Sequence, residues 1–150
     1  MQFDDSFSVQ APIDDVYAAI SDVERVVPCV PDAELLERKG DDVFEVAVKA
    51  HLGPLFKHLL GTITVVERDP EGHRLVMTNN AREADGDPVG EATIEITLAE
   101  LGANTNVSIH TDATIADGMF GEHMITEAAG SQMEQFAENL QALVAGAAAS

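Results

Sequence analysis

Apolar residues occupy every second position through much of the first 115 residues, which is the spacing of β-strands with one buried face. The segments with this spacing are 3–9, 33–38, 43–50, 61–68, 73–79, 90–101 and 106–115. Short polar turns such as 39–42 and 69–72 join several of them and favour antiparallel neighbours. The pattern therefore predicts a twisted antiparallel sheet of seven strands.

One face of this sheet is expected to form the core. On the first strand the apolar series is interrupted only by Asp5, and three later strands alternate cleanly. The predicted interior residues are Phe3, Phe7, Val9, Phe44, Val46, Val48, Ala50, Ala92, Ile94, Ile96, Leu98, Val107, Ile109, Ala113 and Ile115.

Helical spacing replaces the alternation after the first strand. Pro12 suits a first helical turn, and the helix predicted there has the apolar stripe Ile13, Val16, Tyr17 and Ile20. This helix ends near residue 22. Residues 23–30 form another helical turn or two, which Pro28 and Pro31 terminate. Two short helices are therefore expected here.

The last long segment, 121–144, predicts one amphipathic helix. Its apolar stripe consists of Ile125, Ala128, Ala129, Met133, Phe136, Leu140, Leu143 and Val144. A stripe of this length needs a large apolar surface to cover it, and the sheet supplies one. We therefore expect a single α+β domain over residues 1–145, with the small residues of 146–150 beginning a flexible tail.

Charge and cysteine content narrow the range of functions. The chain has 27 acidic and 8 basic side chains, so its net charge of −19 repels phosphate and no nucleic-acid partner is expected. A single cysteine permits no internal disulfide. The chain has no apolar run long enough to span a membrane, and its acidic first residues do not resemble a signal peptide. A cytoplasmic protein is predicted.

The segment 51–60 is too apolar for an ordinary surface connection. Its apolar residues are Leu52, Leu55, Phe56, Leu59 and Leu60. We interpret it either as a mobile lid at the mouth of a cavity or as a short helix packed on the core.

Methionine and phenylalanine residues supply further candidate ligand contacts. Thioether side chains re-pack around irregular ligands, and Met119, Phe120 and Met124 fall at the start of the predicted long helix. The remaining candidates are Met77, Met133 and Phe136. Ordinary core packing is the alternative for all of them.

No catalytic or metal-binding constellation is visible. The five histidines lack metal-ligand spacing, and His110 is interpreted as one half of a solvated pair with Asp112. Cys29 is either a buried apolar residue or, if Arg25 lowers its pKa, a nucleophile. An enzyme would have to use the inward polar residues, which are chiefly Asp5, Tyr17, Asn79 and Thr111.

The order of elements is similar to that of the helix-grip (START-like, SRPBCC) superfamily, and particular residues resemble its CoxG family of carbon monoxide dehydrogenase subunits. The matching segments are F-x-x-S-F-x-V-x-A-P at 3–12, Ser21-Asp22 through Val27-Pro28-Cys29-Val30-Pro31, Leu52-Gly53-Pro54, Gly61-Thr62-Ile63, Glu67-x-Asp69 and Phe136-Ala137-x-Asn139-Leu140. The resemblance covers nearly the whole chain. It implies a Bet v 1-like fold in which a curved sheet wraps around the long C-terminal helix and encloses an apolar cavity.

The resemblance also implies a function. We expect an accessory protein of a molybdenum-dependent carbon monoxide dehydrogenase that binds an apolar molecule, best a lipoquinone such as menaquinone, and no covalently bound cofactor. Membrane contact would be peripheral, at the inner face, through a tail beyond these residues. The alternatives are a polyketide-type cyclase or hydratase, and a maturation or docking factor without a ligand.

Overall fold

The computed structural model describes residues 2–30, 33–52, 55–83, 88–115 and 133–145, with the side chains of 50–52, 55–57 and 115 left aside. The strands are β1 Gln2–Val9, β2 Ala33–Arg38, β3 Val43–Leu52, β4 Leu55–Asp69, β5 Arg74–Glu83, β6 Pro88–Leu101 and β7 Asn104–Ile115. They form one antiparallel sheet in the order β1-β7-β6-β5-β4-β3-β2. The predicted seven-stranded sheet is confirmed.

The helices follow the predicted pattern. After β1 come α1 (Ile13–Ser21), α2 (Val23–Val26) and a 3-10 turn over Val27–Cys29. Asp14 and Asp15 lie in the first turn of α1, where carboxylates favour the positive end of the helix dipole. Residues 133–145 form the C-terminal helix α3, which confirms this part of the predicted long helix, whereas 121–132 lie outside the described residues.

The interpretation of 51–60 as a short helix is wrong, whereas the lid stays a prediction. β3 continues through Leu52 and β4 begins at Leu55. The two strands stay paired along this segment, with His51 opposite Phe56. The backbone N–H and C=O groups of this segment pair between the two strands. This pairing does not require the apolar side chains to alternate with polar ones. The region is a long β-hairpin.

The gap between the predicted strand segments 73–79 and 90–101 is also shorter in the structure. β5 continues to Glu83, and Asn80 and Ala81 pair with β4 on one side and β6 on the other. The polar side chains that suggested a loop are compatible with a strand because Asn80 is exposed and Arg82 forms an ion pair on the outer face. Only 84–87 separate the two strands.

The core forms where α1 and α3 cover one face of the sheet, which we call the inner face. The cluster contains Val9, Leu75 and Val107 from the strands, Ile20 from α1 and Leu140 from α3. All five are at most 1% exposed. Phe44, Val46, Ile96, Leu98, Ile109 and Ala113 are also buried, as the alternation predicts.

Hydrogen bonds fix α3 to the rest of the chain. Asn139 Nδ2 donates to the backbone oxygen of Cys29 at 2.8 Å, and the Gln10 backbone N–H donates to Gln141 Oε1 at 2.7 Å. The buried Thr105 hydroxyl donates to the Ala11 carbonyl at 2.8 Å, which joins β7 to the start of α1. Because these bonds are long-range, they set the position of the helices relative to the sheet.

The β4–β5 turn is attached to α1. His73 has φ of 51°, a left-handed conformation that is uncommon for a residue with a side chain. Its Nε2 lies 3.0 Å from Asp14 Oδ1, and its ring meets the ring of Tyr17 edge-on at 5.9 Å. These contacts compensate for the backbone conformation by holding the turn against the helix.

On the outer face, Glu45 is buried in a polar cluster. Its carboxylate accepts hydrogen bonds from Thr62 Oγ1 at 2.5 Å and from Arg82 Nη2 at 2.6 Å, and Lys39 Nζ lies 3.7 Å away. The hydrogen bonds from Thr62 and Arg82 hold the pKa of Glu45 below its usual value of 4.5. The cluster joins β3, β4 and β5.

We predict that Glu45 makes folding sensitive to acid. A carboxyl whose pKa is lower in the folded state stabilises the fold above its unfolded pKa, and this stabilisation is lost as pH falls through the folded value. The difference in unfolding free energy between wild type and Glu45→Gln should therefore be constant above about pH 5.5 and shrink below about pH 4.5. Denaturant unfolding at several pH values measures it.

The exposed Glu100 provides the control for this experiment. The Glu100→Gln variant should remain within about 0.5 kcal/mol of wild type throughout. A Glu45→Gln difference that is equal at pH 3 and pH 7 would contradict the assignment.

Candidate ligand-binding site

The side chains of the inner face become smaller from one end of the sheet to the other. Along β5 the inward residues are Leu75, Met77, Asn79 and Ala81, of which the first two are buried and the last two only partly buried. Along β6 the same order runs from Leu98 and Ile96, through Ile94, to Ala92 and Gly90. β7 changes likewise from Val107 and Ile109 to Thr111 and Ala113. Among the described residues, the packed core therefore lies towards one end.

The small residues are neighbours across the strands. Ala113 lies opposite Ala92, Gly90 lies opposite Ala81, and Ala81 lies opposite Gly61. We call this group the small-residue floor: Gly61, Ala81, Gly90, Ala92 and Ala113. Protein interiors are close-packed, so the space beside these small residues is taken up by other groups, as Asn79 and Val46 do at Gly61.

Partly buried apolar side chains surround the floor. Ile94 precedes it on β6, and Ile63 and Leu59 lie on either side of Gly61 on β4, all on the inner face. Burial also decreases along α3, because Leu140 and Val144 are fully buried whereas Phe136 and Met133 are partly exposed. The described part of α3 covers the packed end, since Phe136 meets Phe7, which lies opposite Val107 in the sheet.

Asn79 is the polar residue beside this floor. It lies opposite Ala92 on β6 and Ile63 on β4. Its Oδ1 is buried and has no hydrogen-bond partner among the residues that the structure describes. This atom occupies the space left by Gly61, since a Cβ at position 61 would lie only 2.7 Å from it.

The predicted contact residues are only partly brought together. Leu59 lies on the inner face but Leu60 on the outer face, and Met77 is buried in the core. Met133 and Phe136 pack against the core from α3, with the Phe136 ring 6.2 Å from that of Phe7. Leu52, Leu55 and Phe56 lie in strands without described side chains, and Met119, Phe120 and Met124 lie outside the described residues.

Sequence reasoning missed the small-residue floor. The alternation identified Ala92 and Ala113 as interior residues but treated them as ordinary core. The signal that it overlooked was residue size: the inward positions at one end of three strands include Ala81, Gly90, Ala92 and Ala113, where the other end carries Leu, Ile or Val. Only the cross-strand register shows that these positions are adjacent.

Two of the candidate catalytic groups, Tyr17 and Cys29, are buried in structural contacts. The Tyr17 hydroxyl donates to the Arg74 backbone oxygen at 3.1 Å, and burial raises its pKa. Cys29 is buried, and burial raises the pKa of its thiol, which favours the interpretation as a buried apolar residue over the nucleophile. A thiol with a raised pKa carries little of the reactive thiolate at neutral pH.

His110 has a different partner from the expected Asp112. Its Nδ1 lies 2.5 Å from Asp4 Oδ1 across the β1–β7 ladder, and this hydrogen bond raises the pKa of His110. The pair is on the outer face, away from the floor. The part of the chain that the structure describes contains no group of three metal-ligating side chains.

Two surface grooves differ from the floor in chemistry. One, of about 260 Å³, is lined by Asp4, Ser6, Glu95, Thr97 and His110 among others on the outer face. The other, of about 310 Å³, lies beside α2 and is lined by Ser21, Glu24, Arg38, Phe44 and Arg68 among others. Both are lined mainly by polar or charged side chains, so neither suits an apolar ligand.

Comparison with protein families identifies the fold and its family. The family model for CoxG, described as a subunit of carbon monoxide dehydrogenase, matches residues 6–145, nearly the whole chain. The chain belongs to the CoxG family. A search of curated proteins finds no significant match.

Several solved structures share the fold. A conserved protein from Geobacillus kaustophilus has a TM-score of 0.85 at 16% identity, over 97% of this chain and 96% of that chain. A START superfamily protein from Mycobacterium smegmatis has a TM-score of 0.69 at 16% identity, over 97% of each chain. The Zhui aromatase/cyclase from Streptomyces sp. R1128 has a TM-score of 0.60 at 18% identity, over 99% of this chain and 93% of that chain.

These likenesses establish a START-like helix-grip fold, as the sequence predicts. CoxG membership and this fold together support a ligand-binding accessory role. Within the described part of the chain, no helix combines the length and apolar character needed to cross a bilayer.

We predict that Cys29 is unreactive in the folded CoxG protein. Burial keeps the thiol protonated and out of reach, so a maleimide should label it at least about tenfold more slowly than in the unfolded chain. Mass spectrometry over time measures the labelling. Equal rates in native buffer and in denaturant would show that Cys29 is accessible and contradict its placement in the core.

Proposed function

We propose that this CoxG protein binds a lipoquinone such as menaquinone between the inner face of its sheet and the C-terminal helix. It carries the quinone between a molybdenum-dependent carbon monoxide dehydrogenase and the inner face of the cell membrane. The dehydrogenase is suggested by the name of the family, and the apolar ligand by the START-like fold.

The small-residue floor is the observation that carries this proposal. A flat quinone ring lies well against a surface of Gly and Ala, and an isoprenoid tail needs partly buried apolar neighbours such as Ile63 and Ile94. Burial of apolar surface contributes roughly 25 cal/mol per Å², so a ring and a few isoprene units suffice for tight binding. Because the floor lies away from the packed end, ligand binding needs no large rearrangement of the packed core.

The surface charge suits an encounter with a protein rather than with a bilayer. A net charge of −19 opposes adhesion to anionic lipid, whereas it accelerates association with a basic patch on a partner. Membrane contact would then be brief and apolar. Delivery to the dehydrogenase should slow as salt concentration rises.

A cyclase-type enzyme is the alternative that the aromatase/cyclase relative suggests. Its chemistry would need a proton-transferring group at the floor. The four inward polar residues are Asp5, Tyr17, Asn79 and Thr111. The Tyr17 hydroxyl already donates a hydrogen bond to a backbone carbonyl, and Asn79 and Thr111 do not titrate near neutral pH. Only Asp5 remains of these four, and it lies opposite Ile109 towards the packed end, so an enzyme would have to use Glu83 of β5 at the floor.

Native mass spectrometry of protein purified from its own host tests the proposal. We expect a bound species whose mass matches a prenylated quinone, and an organic extract with quinone absorbance. Protein that carries no quinone and does not bind added menaquinone would contradict the carrier. If it still captured the dehydrogenase, the docking-factor alternative would replace it.

A charge placed on the floor should abolish binding. Ala81→Asp puts a carboxylate where the ligand needs an apolar surface, so menaquinone affinity should fall by at least about tenfold. The control is Ala99→Asp, which changes an exposed alanine on β6. Quinone titration followed by fluorescence, with thermal unfolding to verify the fold, measures both. Equal affinities in the two variants would place the ligand elsewhere.

A further inference from the structure

We infer that Asn79 is the polar contact for the head group of the ligand and that it selects neutral quinone-type heads over carboxylates. This inference rests on the proposed function and adds the residue that sets specificity. It distinguishes a lipoquinone from a fatty acid, two ligands that an apolar surface alone would accept equally.

Among the described residues, Asn79 Oδ1 is buried without a hydrogen bond. It lies beside Gly61, in the space that a side chain at position 61 would occupy. A buried carbonyl without a donor is rare and destabilises the free protein. Apolar residues surround it on both neighbouring strands, with Ala92 on one side and Ile63 on the other. A residue of this kind is expected where a bound molecule completes its hydrogen bonds.

The charges near the floor disfavour a carboxylate ligand. Glu83 follows Ala81 on the inner face, whereas Asp5 lies opposite Ile109, nearer the packed end. The described side chains around the floor include no Lys, Arg or His. Arg38 and Arg68 lie away from it, in the groove beside α2. A fatty-acid carboxylate would therefore be desolvated near like charges and without a cation.

Lys57 is the one nearby cation that needs a direct test. It lies opposite Ala50 in the β3–β4 ladder, two residues from Leu59, and has no described side chain. A lysine that reached the floor would supply the cation that a carboxylate requires. The experiment below therefore includes a variant at this position.

An amide suits both redox forms of a quinone. It donates through Nδ2 to a quinone carbonyl and accepts through Oδ1 from a quinol hydroxyl. A rotation about its terminal torsion exchanges the two groups at little cost. A carboxylate can only accept, so replacing Asn79 by Asp should separate the two forms.

The experiment measures three ligands against wild type and variants. The ligands are a menaquinone with a short prenyl tail, its quinol kept under anaerobic conditions, and palmitate. Asn79→Leu should weaken quinone and quinol by about tenfold each, since each loses one hydrogen bond. Asn79→Asp should weaken the quinone alone by a similar factor. Asn80→Leu, at the exposed neighbouring residue, is the matched control and should bind as wild type does.

Thermal unfolding supplies a second measurement that does not depend on ligand. Because Asn79→Leu removes a carbonyl without a partner, the ligand-free variant should be at least as stable as wild type. A large drop in its melting temperature would show that the amide already stabilises the free protein. That result would overturn the inference.

The remaining outcomes separate this inference from the proposed function. If wild type binds quinone and quinol and Asn79→Leu binds them equally well, the role of Asn79 is refuted and the carrier stands. If wild type binds none of the three ligands, the carrier itself fails. Palmitate binding tighter than quinone binding, and lost in Lys57→Gln, would refute selection against carboxylates.

Discussion

The structure depends on tight packing at one end of its sheet. There, Val9, Leu75 and Val107 meet Ile20 of α1 and Leu140 of α3 with almost no exposed surface. Burial of such side chains supplies the main favourable term in folding. Because this end holds helix and sheet together, the other end is free to carry small residues.

Directional bonds also position α3 relative to the rest of the chain. Asn139 donates to the Cys29 carbonyl and Gln141 accepts from the Gln10 N–H, so α3 is fixed in position as well as buried. Interiors relax only partly around missing side-chain volume. A helix anchored in this way resists collapse onto Gly61, Ala81 and Ala92, and we expect the volume above them to remain for a ligand.

The fold could be predicted from the sequence because its signals are local and repeated. Alternation identified each strand, and the stripe that includes Phe136, Leu140 and Val144 identified the last helix. The hairpin at 51–60 was missed because its apolar run hides the period of two, and the end of β5 because Asn80 and Arg82 look like loop residues. In both places cross-strand pairing outweighed local pattern.

The site was harder to predict than the fold because it is defined by register. Gly61, Ala81 and Gly90 are distant in sequence and become neighbours only when three strands are aligned. The same holds for Asn79 and Gly61, whose close approach no spacing rule would reveal. By contrast, the interior positions of Ile96 and Val107 followed from pattern alone.

The most direct test of the account is the unfolding free energy of the Ala92→Leu variant without ligand. If the floor borders unfilled volume, the larger side chain enters it, and stability should be equal to or greater than that of wild type while quinone binding is lost. In a filled core, the added volume would cost about 1–3 kcal/mol. A loss of that size would show that no space for a ligand exists between sheet and helix.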